Sequence, residues 1–227
     1  MREIAFDTET TGFDPYAGDR LVEIGCVEIV NKVRTGKTFH IYINPEREVP
    51  EDAAKVHGLT YERLKSEPKF KEIADDFLEF VGDSNLVIHN AAFDMKFINA
   101  ELAWAKKETI PFDRAVDTLL IARKKFPGQK NNLDSLSKRL GVDTSARVLH
   151  GALLDAEILA DVYLELCGGR SLKFSFDKET NIENATSGEV KEFKKFYEPR
   201  NFPLTEEEIV AHNEFISKIK NPIWLKE

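Results

Sequence analysis

The chain has 227 residues, a formal net charge of −8 and 42% hydrophobic side chains, enough for one substantial core and a small appended unit. The acidic balance excludes a broad basic surface that grips duplex DNA through many phosphates, though not a few terminal nucleotides held through metal ions. No apolar run approaches the roughly 20 residues that span a bilayer, and Met1-Arg2-Glu3 leads straight into a strand without a signal-peptide core; the sequence reads as a soluble cytoplasmic protein with no membrane partner.

Residues 2–7 are the first predicted strand, 21–30 the second and 37–43 the third, with turn residues from Asn31 to Gly36 making a hairpin of the last two. Cys26 and Cys167 fall inside a predicted strand and helix without metal-type spacing, and both read as small core hydrophobes. Pro50-Glu51-Asp52 begins a short helix that Gly58 ends, and Phe70, Ile73, Phe77 and Phe80 stripe a helix closed by Gly82. Leu86-Val87-Ile88 is a buried strand run, followed directly by a helix that Asn90 is placed to cap. Val116 leads into a helix bearing Leu119, Leu120 and Ala122, and Leu133, Leu136 and Leu140 stripe another that Gly141 ends. A helix from Leu154 to Leu166 closes the unit. Strands first and helices interleaved later predict an α/β fold over 1–167, a mixed sheet flanked by helices.

After Gly168-Gly169 the periodicity is lost, and residues 168–203 read as a linker with scattered Phe. Residues 204–227 form a tail: Thr205 and Glu208 make a capping box, Leu204 and Ile209 suit a hydrophobic staple, and Trp224 stands near the end. A lone helix of this length is marginal in water, so its apolar face requires a partner surface.

Four carboxylates point the wrong way for a solvated surface. In the last helix Asp155 precedes Ile158 and Leu159 by three and four residues, which turns it inward, while Glu157, Asp161 and Glu165 share the opposite face. Asp7 and Glu9 follow the run Ile4-Ala5-Phe6 and project side by side from a strand. Asp94 lies in the stripe continued by Phe97, Ile98 and Leu102. Four inward acids repel one another and are costly to bury; one or two hard divalent cations with oxygen ligands relieve both problems.

These residues carry a resemblance. Asp7-Thr8-Glu9-Thr10-Thr11-Gly12, His89-Asn90-Ala91-Ala92-Phe93-Asp94, and His150 with Asp155 resemble, in order, the three motifs of the DEDDh 3′-5′ exonucleases, named for four acids and a histidine. That implies a ribonuclease H-like fold over residues 1 to about 167. Within the family the chain is similar to the proofreading branch, the epsilon-type subunits of bacterial DNA polymerase III. Val56-His57-Gly58-Leu59-Thr60 resembles a segment that branch places near the terminal nucleotide, with Asp52 where Glu is usual. Residues 205–212 and Trp224 are similar to the part that binds the polymerase alpha subunit. Ser171-Leu172-Lys173-Phe174 sits where the family has a sliding-clamp motif, but the expected glutamine is absent, which counts against clamp contact.

The resemblance implies that Asp7 bridges two Mg²⁺ ions, with Mn²⁺ also suitable. Glu9 and Asp155 complete the site that activates the attacking water, and Asp94 supports the second ion. Two cations about 3.5 to 4 Å apart can orient the water, shield the phosphate and stabilise the leaving 3′ oxygen. His150, from the side-chain type that titrates near neutrality, is the implied general base. Thr10, Thr11, Asp52, His57, Asn90 and Phe93 are the candidates for holding the DNA 3′ terminus. Against this stand two other readings: a free-standing exonuclease that trims RNA or single-stranded DNA, and a scaffold whose site is catalytically silent. Asp113, Asp117 and Asp134 read as helix-start acids with no catalytic role.

Overall fold

The computed structural model describes residues 1–145, 147, 149–168 and 204–219. In the first of two compact units, Met1–Ser175, β1 (Arg2–Thr10), β2 (Leu21–Val30) and β3 (Val33–Tyr42) form an antiparallel meander. Two short strands, β4 (Asn85–Ile88) and β5 (Ala115–Asp117), extend it in parallel beyond β1, giving the order β3-β2-β1-β4-β5. The helices are α1 (Glu51–His57), α2 (Tyr61–Leu64), α3 (Phe70–Val81), α4 (Ala91–Trp104), α5 (Thr118–Lys125), α6 (Leu133–Leu140) and α7 (Ala152–Leu166). This is the mixed, helix-flanked sheet expected from the sequence. Among the described residues no helix is long and apolar enough to cross a membrane.

Strand alternation sorts the core into two layers. Ile4 and Phe6 join Ile24, Cys26, Leu86 and Ile88 beneath α3 and α4, where Phe77 and Phe97 are fully buried. Ala5 turns the other way with Val27, Ile29 and Val87, against Ala156, Leu159, Ala160 and Tyr163 of α7. Asp7 and Glu9 keep the parity of Ala5, so the pleat that buries Ala5 also aims both carboxylates at the α7 side. One residue of β2 makes that docking close. Gly25 lies opposite Asp7, and a Cβ there would fall 2.2 Å from the carbonyl carbon and oxygen of Ala152; only a residue without a side chain lets α7 sit so low on the sheet.

Several expectations are corrected. β3 starts at Val33, because Asn31 (φ 51°) and Lys32 (φ 63°) complete a two-residue turn and Val30 pairs with Val33. Gly36, expected in the turn, lies within β3 at φ 85°, beside an irregularity in its pairing with β2. Cys167 is exposed just beyond α7, whereas Cys26 is buried. Asn90 does not cap α4: its own backbone is left-handed (φ 71°) and its side chain makes no cap bond. β5 and α2 are additions, both too short for a periodic signal.

In the second unit, Phe176–Glu227, α8 (Glu206–Ser217) begins with the expected capping box, in which Glu208 N–H donates to Thr205 Oγ1 (3.3 Å) and Thr205 N–H to Glu208 Oε2 (2.9 Å). Leu204, Ile209, Val210 and Phe215 are exposed. The linker expected over 168–203, with its Ser171–Phe174 segment, and the expected Trp224 contact lie outside the described residues, apart from Gly168.

Candidate active site

The site lies where β1 ends. Asp7 and Glu9 come from its last turns of pleat, Asp94 from the first turn of α4 and Asp155 from the first turn of α7. All four line one open pocket with Thr8, His89, Asn90, Phe93, Leu133, Arg147 and His150. Asp94 and Asp155 are 4% and 3% exposed, so neither has bulk water as its counter-dipole. Thr8, which points to the other face of β1, donates its hydroxyl to Asp94 Oδ1 (2.7 Å).

The electrostatics follow from crowding in a poorly hydrated place. Burial, then the charges of Asp94, Asp155 and Glu9, push the Asp7 carboxyl well above the usual range. Burial, then Asp155, Glu23 and Asp94, push Glu9 up to about 8. Asp94 is raised to about 7, chiefly by burial, with the Thr8 hydrogen bond working against it. Acids that resist ionisation together are a site for positive charge. Glu9, Asp155 and His150 each offer a ligand atom within 4.8 Å of the others, and the remaining donors are carboxylate oxygens, the set that suits a hard divalent ion.

His150 stands on the loop before α7, its side chain 47% exposed and Nδ1 3.2 Å from Asp155 Oδ2. Its N–H donates to the Val56 carbonyl of α1 (3.2 Å), which pins the backbone and leaves the ring at the rim. The other sequence candidates divide. Asn90 and Phe93 line the pocket, Phe93 packing 5.0 Å from the Phe97 ring. Thr10 Oγ1 donates to the Gly12 carbonyl (2.6 Å). Thr11 is buried, and its hydroxyl accepts from Arg20 N–H (2.9 Å), bracing the loop between them. His57 is buried with Nδ1 accepting from Leu59 N–H (3.1 Å) and Nε2 without a hydrogen bond; burial lowers its pKa, so the ring is neutral. Asp52 has a fully exposed side chain 3.7 Å from Lys55 and is not among the pocket residues.

Three residues to which sequence reasoning gave no part in the site shape it. Asp117 caps α5, as a helix-start acid should, through Leu119 N–H (2.8 Å), and also accepts from Asn90 and Ala91 N–H (3.3 Å each), holding the start of α4. Arg147 places its guanidinium on Asp155. Gly25 admits α7. A glycine inside the apolar run Leu21–Val30 was a readable sign of close backbone approach; nothing local announced the other two.

Acidic oxygens gathered at a strand end, with a histidine at the rim of an open pocket, define the class: a metal-dependent nuclease on a ribonuclease H-like sheet. Comparison with known proteins agrees. The profile of the exonuclease family RNase_T matches residues 4–163. DNA polymerase III subunit epsilon of Rickettsia felis is 52% identical over 223 residues, covering 96% of this chain and 97% of the relative; that of Escherichia coli is 43% identical over 219 residues, covering 93% and 90%. The nuclease domain of 3′hExo, a DEDDh family member solved bound to rAMP, superposes with a TM-score of 0.64 at 18% identity, covering 73% of this chain and 91% of that one. The chain belongs to this exonuclease family, in the group of DNA polymerase III epsilon subunits. It is a 3′-5′ exonuclease, and its family depends on divalent metal.

Proposed function

We propose that the protein removes mispaired nucleotides from a DNA 3′ terminus for a replicative DNA polymerase, with two Mg²⁺ ions, replaceable by Mn²⁺, held by Asp7, Glu9, Asp94 and Asp155. The observation that carries this is the convergence of four acids from three distant segments on one open pocket. When bound, the cations supply charge shielding of the phosphate and stabilisation of the leaving oxygen. Asp7 would be the shared ligand, a role supported by its interaction with all three other acids. Glu9 and Asp155 serve the side of the attacking water, close to His150. With Nδ1 turned to Asp155, the imidazole takes the water's proton at Nε2. Asn90 orients the terminal nucleotide and Phe93 stacks on its base.

The working division is an exonuclease domain over 1–167, a linker over 168–203 and a tail over 204–227 that binds the polymerase alpha subunit. The exposed Ile209, Val210 and Phe215 give the tail apolar side chains for that partner. A tether raises the local concentration of exonuclease at the primer end without affinity of its own for DNA, which suits a net charge of −8. Such work belongs in the cytoplasm of a bacterium.

The test is excision of a mispaired 3′ terminus by the full chain and by its Asp7→Ala, Glu9→Ala double variant, with Mg²⁺, with and without the alpha subunit, on DNA and on RNA. Expected are loss of excision in the double variant, preference for DNA, and faster excision with the partner. Equal rates for parent and variant would dispose of the site; a strong RNA preference, or no effect of the partner, would defeat the proofreading role.

A further inference from the structure

Arg147 is the one Lys or Arg lining the carboxylate pocket among the described residues. Its side chain is only 10% exposed. Nε lies 2.6 Å from Asp155 Oδ1, without the alignment of a hydrogen bond, and Nη2 donates to Oδ2 at 2.7 Å. The guanidinium therefore covers both oxygens of this carboxylate. Nη2 is also 2.8 Å from His150 Nδ1, and Nη1 bonds to Asp134, an acid in the first turn of α6 with a side chain 64% exposed.

A cation coordinated by Asp155 needs one of the oxygens that the guanidinium occupies, and a divalent ion beside an arginine held this close meets like charge in a poorly screened pocket. The two arrangements compete for the same carboxylate. We propose that Arg147 is an internal counter-ion that fills the cation's place on Asp155 and has to swing off before a divalent ion binds there. Asp134 gives it a resting place: the Nη1 bond can be kept while Nε and Nη2 leave. Because the same Nη2 touches His150 Nδ1, one movement uncovers Asp155 and releases the histidine, so the general base becomes free as the metal arrives. The backbone of His150 is tied to Val56, so the release of the histidine is a movement of its side chain.

The inference rests on the reading of Asp155 as a metal ligand, and the experiment separates the two. Mn²⁺ alone is titrated into the full chain, without DNA, and binding is followed by calorimetry or by loss of the free-ion spin signal. The proteins are the parent, Arg147→Gln, Arg147→Lys and Asp155→Asn, and the thermal midpoint of each is recorded in chelator. If the arginine holds Asp155 for nine-tenths of the time, the parent's apparent affinity is reduced about tenfold. R147Q is then expected to bind Mn²⁺ about tenfold more tightly, to unfold at a lower temperature in chelator, and to recover with saturating Mn²⁺. R147K, which keeps a charge but cannot cover both oxygens, should fall between, and it carries the test should R147Q fail to fold. Parental or weaker Mn²⁺ affinity in the Arg147 variants would overturn the counter-ion role. Unchanged affinity in D155N would instead overturn the assignment of Asp155 as a ligand.

Discussion

Replacing Gly25 with alanine tests whether the depth of α7 on the sheet sets catalysis. The new Cβ would lie 2.2 Å from the carbonyl carbon and oxygen of Ala152 and 2.3 Å from Leu153 N, where 3.4 Å is the start of ordinary contact, so the first turn of α7 must lift by about 1.2 Å. All three obstructing atoms are backbone, and no rotamer change removes them. Asp155 sits three residues into the helix and rises with it, while Asp7, opposite Gly25 in the ladder, stays. Overpacking of this kind costs about 1–3 kcal/mol of stability, and misplacing a reacting group by about 1 Å costs on the order of 10²-fold in rate. The assay is single-turnover excision of a mispaired 3′ terminus at saturating Mg²⁺, paired with urea denaturation. Ile29→Val, a buried change on the same layer, gives a control that loses about 0.5–1.5 kcal/mol without touching the helix start. The expected result is a large fall in rate for Gly25→Ala and parental rates for the control. A folded Gly25→Ala protein within about threefold of the parent would refute the reasoning.

Two further outcomes follow from the same geometry. Glu9 titrates near 8 when folded and near 4.5 as a free side chain; the folded state therefore holds a proton that the unfolded chain releases, and stability is lost as pH rises between these values, by up to about 1.4 kcal/mol per pH unit. In chelator the parent should weaken relative to Glu9→Gln across that window, and a difference that does not change with pH would contradict the crowding. Asp117→Ala removes one acceptor shared by α5 and α4 and should cost about 1–2 kcal/mol while lowering kcat more than it raises KM; Asp117→Asn, which keeps an acceptor oxygen, should restore most of both. Parental kcat in the alanine variant would show that the start of α4 holds Asp94 without help.

The acids were legible because each belongs to or directly adjoins a periodic segment whose buried face is easy to read. Ala5 fixes the direction of Asp7 and Glu9 by alternation, Phe97 and Ile98 fix Asp94, and Ile158 and Leu159 fix Asp155. What escaped had no period. Arg147 lies in an irregular loop, and its partner is chosen by the pocket, not by neighbours in sequence. Asp117 was read correctly as a cap for its own helix, but its second helix belongs to another segment. Asn90 sits where a cap should, yet the left-handed turn that brings α4 under the end of β4 rotates its side chain away from the role. Thr11 belongs to the motif and is spent on the adjacent loop, and Asp52 follows a helix start that faces solvent.

The position of the four acids also explains how a stable fold tolerates them. Asp94 and Asp155 each stand in the first turn of a helix, where unpaired backbone N–H groups and the helix dipole present partial positive charge. The two helices approach from opposite faces of the sheet, and both start at the strand end that carries Asp7 and Glu9. Two helix starts offset about one elementary charge in total, against four carboxylates, so most of the repulsion remains. It is reduced by the protons that burial and crowding favour, by the Thr8 hydroxyl and by Arg147; on the reading proposed above, a divalent cation would take over from the protons and the guanidinium, with the carboxylates held in place by their backbone. The pocket is thus built to be unsatisfied by the protein alone. Reducing the repulsion by Glu9→Gln should raise stability in chelator at pH 8 and lower the affinity for Mn²⁺ at the same time, and a variant that gained in both would show that the acids are not held apart from a shared ion.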